Sequence, residues 1–205
     1  MYIPKLYREE DHETIVEFLK RNDFPALVTF DGERPVATHL PVEIVETDAH
    51  MTIWGHLSRA NPQWHTFDGR EGLLIFQGAH TYISPRWYNH VNVPTWNYMI
   101  VHVYGTVRVV EGDELYELLS RLVKRHEAAS SYRLEGLPQD FVEKEIKGVI
   151  GFAMDVTRID GGYKLSQNRN AEDHANIIRE LERRDDENSH EVADAMRLRR
   201  DTGKA

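Results

Sequence analysis

Between Pro25 and Val110, apolar and polar residues alternate with a period of two, β-branched and aromatic side chains are frequent, and turn residues separate the runs. This is the pattern of half-buried strands. Ala26–Phe30 and the run from Val36 to Val45 flank the tight segment Asp31-Gly32-Glu33-Arg34, which predicts a hairpin. In the second run Val36, Leu40, Val42 and Ile44 share one face, while His39 and Glu43 point the other way. Pro41, which has no N–H for a ladder, marks an edge or a bulge. Further strands are expected at 50–55, 73–77, 96–110 and 149–159.

Helical periodicity is confined to the periphery. Asp11 is a good N-cap for a helix over 14–21, and Gly112-Asp113 opens a segment in which Leu115, Leu118, Leu119, Leu122 and Val123 recur at steps of three and four. That segment should lie on the sheet. Pro138 and Gly148 bracket a short helix around Phe141 and Ile146. From about Ala171 the chain is charged and helical in pattern. Ile177, Ile178, Leu181, Val192, Ala195 and Met196 form only a narrow apolar stripe there, so the segment must dock or fray. Strands gathered early, helices outside and one late strand predict a mainly β, α+β fold built as an antiparallel barrel. The expected division is a barrel domain over 1–170 and a charged helical tail over 171–205.

The 205 residues fit about one domain. With no cysteine, disulfides, thiolate nucleophiles, zinc–thiolate sites and iron–sulfur clusters are excluded, so redox chemistry would need a borrowed cofactor. The 25 Lys and Arg against 34 Asp and Glu give a net charge of −9, which repels nucleic-acid backbones and anionic membranes. No run approaches the length of a membrane span and the first residues lack an apolar signal core, so a cytoplasmic protein is expected. Gly-rich nucleotide fingerprints, a Gly-x-Ser-x-Gly elbow and His-Glu-x-x-His are all absent, so Rossmann, P-loop, serine hydrolase and zincin chemistry are unsupported despite 11 histidines.

Three segments could carry chemistry. Trp54-Gly55-His56-Leu57-Ser58-Arg59-Ala60-Asn61-Pro62-Gln63-Trp64 reads as a strand end running into a helix start, with Ser58 as cap. His56, Ser58, Arg59 and free backbone N–H groups would converge there on an anion, naturally a phosphate; the bland reading, a cap with solvated Arg59 and Asn61, has equal weight. Gln77 to Tyr88 and Val93 to Tyr98 are dense in aromatics, amides and hydroxyls, which suits a flat heteroaromatic ring. On composition alone, core packing is the stronger reading of those rings. Lys164-Leu165-Ser166-Gln167-Asn168-Arg169 follows Gly161-Gly162, read as a turn closing the last strand, and is either a solvated loop or the completion of a site.

These strings in order, together with Met1-Tyr2-Ile3-Pro4, resemble the PaiB family of FMN-binding negative transcriptional regulators over roughly residues 1–185. The resemblance implies an FMN-binding split β-barrel of the pyridoxamine-phosphate-oxidase type, in which a homodimer holds FMN in grooves between subunits. It places Thr38, His39, Leu40 and Pro41 beside the flavin ring, His56, Ser58, Arg59 and Asn61 at the phosphate, and Gln77 as the later ring-contacting glutamine. Trp96, Asn97, Lys164, Ser166 and Gln167 would line the partner side. Ala60 stands where the oxidases carry lysine after Ser-Arg, which removes one phosphate charge and implies modest affinity.

The resemblance also implies regulation, with redox or metabolite state as the expected signal, yet no basic recognition helix is visible. Arg183-Arg184 and Arg197-Leu198-Arg199-Arg200 are interleaved with acids, so direct DNA binding is disfavoured. An FMN-dependent reductase or oxidase acting on a small molecule, with Tyr82 to Trp96 as substrate wall and His39, His56 or Tyr82 as proton donor, is the alternative. A heme-handling relative on the same barrel is a third.

Overall fold

The computed structural model describes residues 1–47, 50–67 and 69–201. Residues 202–205 of the expected tail, and the side chains of Arg200 and Asp201, lie outside the described part. Eight strands are found among the described residues: β1 (Arg8–Glu9), β2 (Ala26–Phe30), β3 (Pro35–His39), β4 (Val42–Glu46), β5 (Met51–Ser58), β6 (Arg70–Ile83), β7 (Thr95–Val110) and β8 (Val149–Lys164). The helices are α1 (His12–Arg21), α2 (Gly112–His126), α3 (Gln139–Ile146), α4 (Ala171–Glu182) and α5 (Glu187–Asp201). The strands form one sheet in the order β3-β2-β6-β7-β8-β5-β4, with β1 added to β8. No helix among the described residues is long and apolar enough to cross a membrane.

The chain divides into two compact units, one of residues 1–18, 77–102 and 160–205, the other of 19–76 and 103–159. We call them unit 1 and unit 2.

Unit 2 carries the barrel. The hairpin at Asp31–Arg34 forms as expected, with Ala26 opposite His39 and Phe30 opposite Pro35. Asp31 Oδ1 accepts the backbone N–H groups of Glu33 and Arg34 at 2.9 Å each. The expected continuous strand from Val36 to Val45 is instead two, because Pro41 offers no N–H and the chain turns at Leu40 and Pro41. The Leu40 N–H donates to Pro25 O at 3.2 Å and the Val42 N–H to Asp23 O at 2.9 Å. This break closes the barrel. β3 and β4 lie at opposite ends of the strand order, which in a flat sheet would separate them by roughly 29 Å. Three peptide steps from His39 to Val42 span at most about 11 Å, so the sheet has to curl on itself.

The interior holds Leu27, Ile53, Phe67, Leu74, Phe76 and Phe152, all fully buried. Phe67 meets Phe152 edge-on at 5.7 Å. α2 packs Leu115, Leu118 and Leu122 against Val110 and Ala153 beside Trp54, as its periodicity predicts. The short helix α3 buries Val142, leaving Phe141 half exposed.

Unit 1 takes in β1, α4 and α5. Asp11 caps α1, accepting the Thr14 N–H at 2.9 Å. Gly161-Gly162, expected as a turn, is strand: Glu9 pairs with Gly161 and Arg8 with Gly162. A Cβ at Gly161 would stand 2.8 Å from Glu9 O, so this close pairing excludes a side chain. The charged segment after Ala171 docks. Ile177, Leu181, Val192, Ala193 and Met196 are buried between α4 and α5, and Ser189 Oγ lies 2.9 Å from Thr81 Oγ1 on β6.

Candidate functional site

The residues singled out from sequence fall into one group in each unit. In unit 2, β5 alternates: Ile53, Gly55 and Leu57 face inward, so Trp54, His56 and Ser58 share the other face. On that face the Trp54 ring lies between the guanidinium groups of Arg108 and Arg121, at 5.3 and 5.4 Å. Nδ1 of His56 is buried with no hydrogen-bond partner. Burial holds the imidazole below its usual pKa, because the cation would lose its hydration.

Ser58 ends β5 rather than capping a helix. Its Oγ accepts the Ala60 N–H at 3.3 Å, while the cap of the following short 3-10 turn, Pro62–Thr66, is Asn61, whose Oδ1 accepts the Gln63 N–H at 3.0 Å. Pro62, with its φ preset for a first helical position, places the start three residues after the Ser58 cap that the sequence suggested. Arg59 is anchored on every side. Its N–H donates to Gly148 O at 2.9 Å, its Nε to Lys147 O at 3.1 Å, and its Nη2 to Glu111 Oε1 at 2.8 Å. A guanidinium paired to one carboxylate keeps further N–H donors in its fork, so Arg59 can still meet an anion, with its charge partly offset.

Thr38 and Asn61 are brought together: Asn61 Nδ2 donates to Thr38 Oγ1 at 2.8 Å, and Thr38 Oγ1 donates to Gln63 Oε1 at 2.6 Å. Gln63 is buried and its Nε2 reaches Leu27 O at 2.9 Å and Thr29 Oγ1 at 3.2 Å. Sequence reasoning missed Gln63 as the hub. Its only signal was an amide two residues after an Asn-Pro turn starter. His39 is exposed and stacks on Phe24 at 6.5 Å. Leu40 is buried, and Pro41 O sits 3.1 Å from where a Cβ on Gly55 would be, so these two offer backbone more than side chain.

In unit 1, Gln77 is exposed on β6 with Nε2 3.3 Å from His80 Nδ1. Trp96 and Asn97 point to opposite faces of β7, as neighbours on a strand must. The Trp96 ring is 52% exposed and meets Tyr82 edge-on at 6.0 Å and His80 at 6.2 Å. Asn97 is fully buried and exchanges hydrogen bonds with Ser166 Oγ at 3.0 and 3.1 Å. Ser166 has φ +61°, a left-handed conformation that is uncommon for a residue with a side chain. Gln167 turns back on its own loop, accepting the Leu165 N–H at 2.7 Å and donating to Tyr163 O at 2.5 Å. Lys164 Nζ donates to Thr95 Oγ1, and its pKa is pushed down by burial and then by the charge of Arg169. The segment 164–169 is therefore a folded loop held by its own hydrogen bonds, with Leu165 and Ser166 buried and Asn168 exposed.

Residues 1–158 match the family described as "Putative FMN-binding domain". Over 199 residues the chain is 41% identical to "Protease synthase and sporulation protein PAI 2" of Bacillus subtilis, covering 96% of both chains. Among solved structures, the flavocytochrome Anf3 from Azotobacter vinelandii superimposes with a TM-score of 0.60 at 14% identity, covering 85% of this chain and 78% of that one. The FAD and heme binding protein from Mycobacterium smegmatis gives 0.57 at 14%, covering 82% and 78%. These likenesses agree with the expected split-barrel architecture, mainly β with peripheral helices. Taken with the match over most of its length and the 41% relative, the chain belongs to the FMN-binding, PaiB-type family.

Proposed function

We propose that the chain holds FMN by its phosphate at the end of β5 and serves as a redox or metabolite sensor in negative regulation, acting as a homodimer in the cytoplasm. One observation carries the flavin assignment to these residues: the buried Nδ1 of His56, without a partner in the protein, on the strand face that ends in Ser58 and Arg59. A buried polar atom left unmade costs about 1–3 kcal/mol, which a ligand group can recover. A neutral imidazole, a hydroxyl, a guanidinium and the Asn61 amide form a donor set that fits phosphate and ribityl oxygens. When bound, FMN supplies electron or hydride transfer at its ring. The part of the protein is to seat the phosphate at His56, Ser58 and Arg59, to fix the Asn61 amide through Thr38, and to present the backbone of Leu40 and Pro41.

The regulatory part is supported by the name of the Bacillus subtilis relative, a "Protease synthase and sporulation protein". Direct DNA contact is not favoured. Arg183 pairs with Glu180, Arg197 with Glu182 and Asp194, and Arg199 with Glu9, so these cations are already met by acids. The homodimer is supported by the exposed, mutually contacting rings of Tyr82 and Trp96, since exposed apolar surface of this kind usually finds a partner.

A second reading, an FMN-dependent oxidoreductase, rests on the same Tyr82–Trp96 pair as a wall for a planar substrate. One experiment separates the readings: an absorbance spectrum across the elution profile, repeated after adding FMN and then NAD(P)H. Flavin bands that co-elute with a dimer and weaken in Ser58→Ala support the proposed seat. A colourless protein that ignores added FMN overturns it, and catalytic bleaching with an acceptor present favours the enzyme.

A further inference from the structure

Arg169 of unit 1 lies beyond the 1–158 region that matches the FMN-binding family. Its guanidinium stands 4.6 Å over the ring of Tyr88, and its Nε is buried with no hydrogen-bond partner. No carboxylate among the described residues pairs with it. The two buried acids of this unit are engaged elsewhere. Glu9 takes Arg199 Nη1 at 2.6 Å, and Asp173 accepts the Asn89 N–H at 2.8 Å and Asn170 Nδ2 at 2.9 Å, with His90 Nδ1 at 3.2 Å. Arg169 as a whole is part-buried, and a guanidinium with a desolvated Nε and no counter-charge gains from an anion that supplies both.

The guanidinium lines a cavity of about 110 Å³ together with Arg199, His174, Gln167, Leu165 and Met196. That is several times the roughly 30 Å³ share of one water, and far below what a flavin requires. Gln167 has both amide atoms committed to backbone, so it forms wall and not ligand. Lys164 lies close enough to Arg169 for that charge, after burial, to lower its pKa. Cavity, cations and a missing counter-charge coincide at one place.

We propose that this cavity is a binding site for a small oxyanion, a free carboxylate or inorganic phosphate, gripped by Arg169 with Arg199 and His174 at the wall. The site is separate from the seat assigned to the flavin phosphate in unit 2. The planar fork of Arg169 suits either anion bidentately.

The test is the thermal midpoint of the flavin-free protein titrated with sodium phosphate and, separately, sodium acetate. Sodium chloride holds ionic strength constant throughout, because general screening would otherwise move the midpoint. A saturable rise of several degrees with at least one of the two anions is expected, the more effective one naming the source. Arg169→Gln should abolish the rise, and Arg169→Lys should keep it with at least tenfold weaker apparent affinity, which guards against a Gln variant that folds poorly. No saturable rise beyond chloride in the unmodified protein overturns the proposal, as does an undiminished rise in both variants. The phosphate titration is then repeated with FMN in excess: an unchanged half-saturation supports two separate sites, and competition overturns the separation by showing that the cavity takes the flavin phosphate.

Discussion

The hydroxyl of Thr38 accepts the Asn61 amide at 2.8 Å, joining the edge strand of the β2–β3 hairpin to the turn that follows β5, across 23 residues of chain. The same hydroxyl donates to Gln63 at 2.6 Å, and Gln63 in turn holds Leu27 O and Thr29. A chain of satisfied polar groups in a buried place is stiffer than its separate bonds, so the proposed phosphate segment is set before a ligand arrives.

Thr38→Val removes the hydroxyl while keeping the shape, and strands Asn61 Nδ2 and Gln63 Oε1. We expect a loss of about 1–3 kcal/mol in urea unfolding together with weaker FMN retention, and recovery of both in Thr38→Ser. A valine variant with unchanged midpoint and flavin binding would remove Thr38 from the positioning role.

Acidification should weaken unit 2 through His56. Burial depresses its pKa below 6.5, so the folded state resists a proton that the unfolded chain accepts. The sign follows: stability is full above 6.5 and falls as pH drops from 6.5 towards the folded pKa, with no further loss from this group below it. His102 shifts in the same direction, by burial first. Urea midpoints measured between pH 8 and 5 should therefore decline, and the decline should be shallower, not absent, in His56→Gln.

How much of this was legible beforehand can be followed residue by residue. The inward face of β4 and the leucine stripe of α2 followed from period alone, because burial of apolar side chains decides both. Pro41 announced a disturbance, but not that the chain would cross there from one end of the strand order to the other. That depends on strand pairing far away in sequence. Ser58 and Asn61 are both good caps, and only Pro62 and the reach to Thr38 select Asn61. Trp96 and Asn97 were grouped by adjacency, although alternation on a strand already separates them. Arg169 ends the polar segment that begins at Lys164, and nothing local tells that its Nε becomes buried.

At Gly105 a Cβ would lie 2.5 Å from Asp155 O and 2.6 Å from Met154 Cγ, so the β7 backbone rests directly on β8. Backbone oxygen cannot swing aside as a side-chain tip can. Gly105→Ala is expected to cost about 3 kcal/mol, lowering the melting midpoint by roughly 6–12 °C. A calorimetric scan showing a shift below 2 °C would contradict the close approach.

Ser166 combines two opposing effects that substitution can separate. Its hydroxyl satisfies the fully buried amide of Asn97, while its φ of +61° is unfavourable for any residue with a Cβ. Ser166→Ala keeps the backbone penalty and leaves Asn97 unmade, so it should destabilise by about 1–3 kcal/mol. Ser166→Gly loses the same hydrogen bonds but relieves the left-handed strain, worth about 1–2 kcal/mol, and should come out more stable than the alanine variant. Parallel denaturation of the two variants decides the matter: both lack the hydroxyl, so an alanine variant at least as stable as the glycine one would show that the left-handed backbone carries no strain there. In the expected order, the sequence keeps serine there for its hydrogen bonds despite the strain, which ties the folding of the 164–169 loop to the inward face of β7.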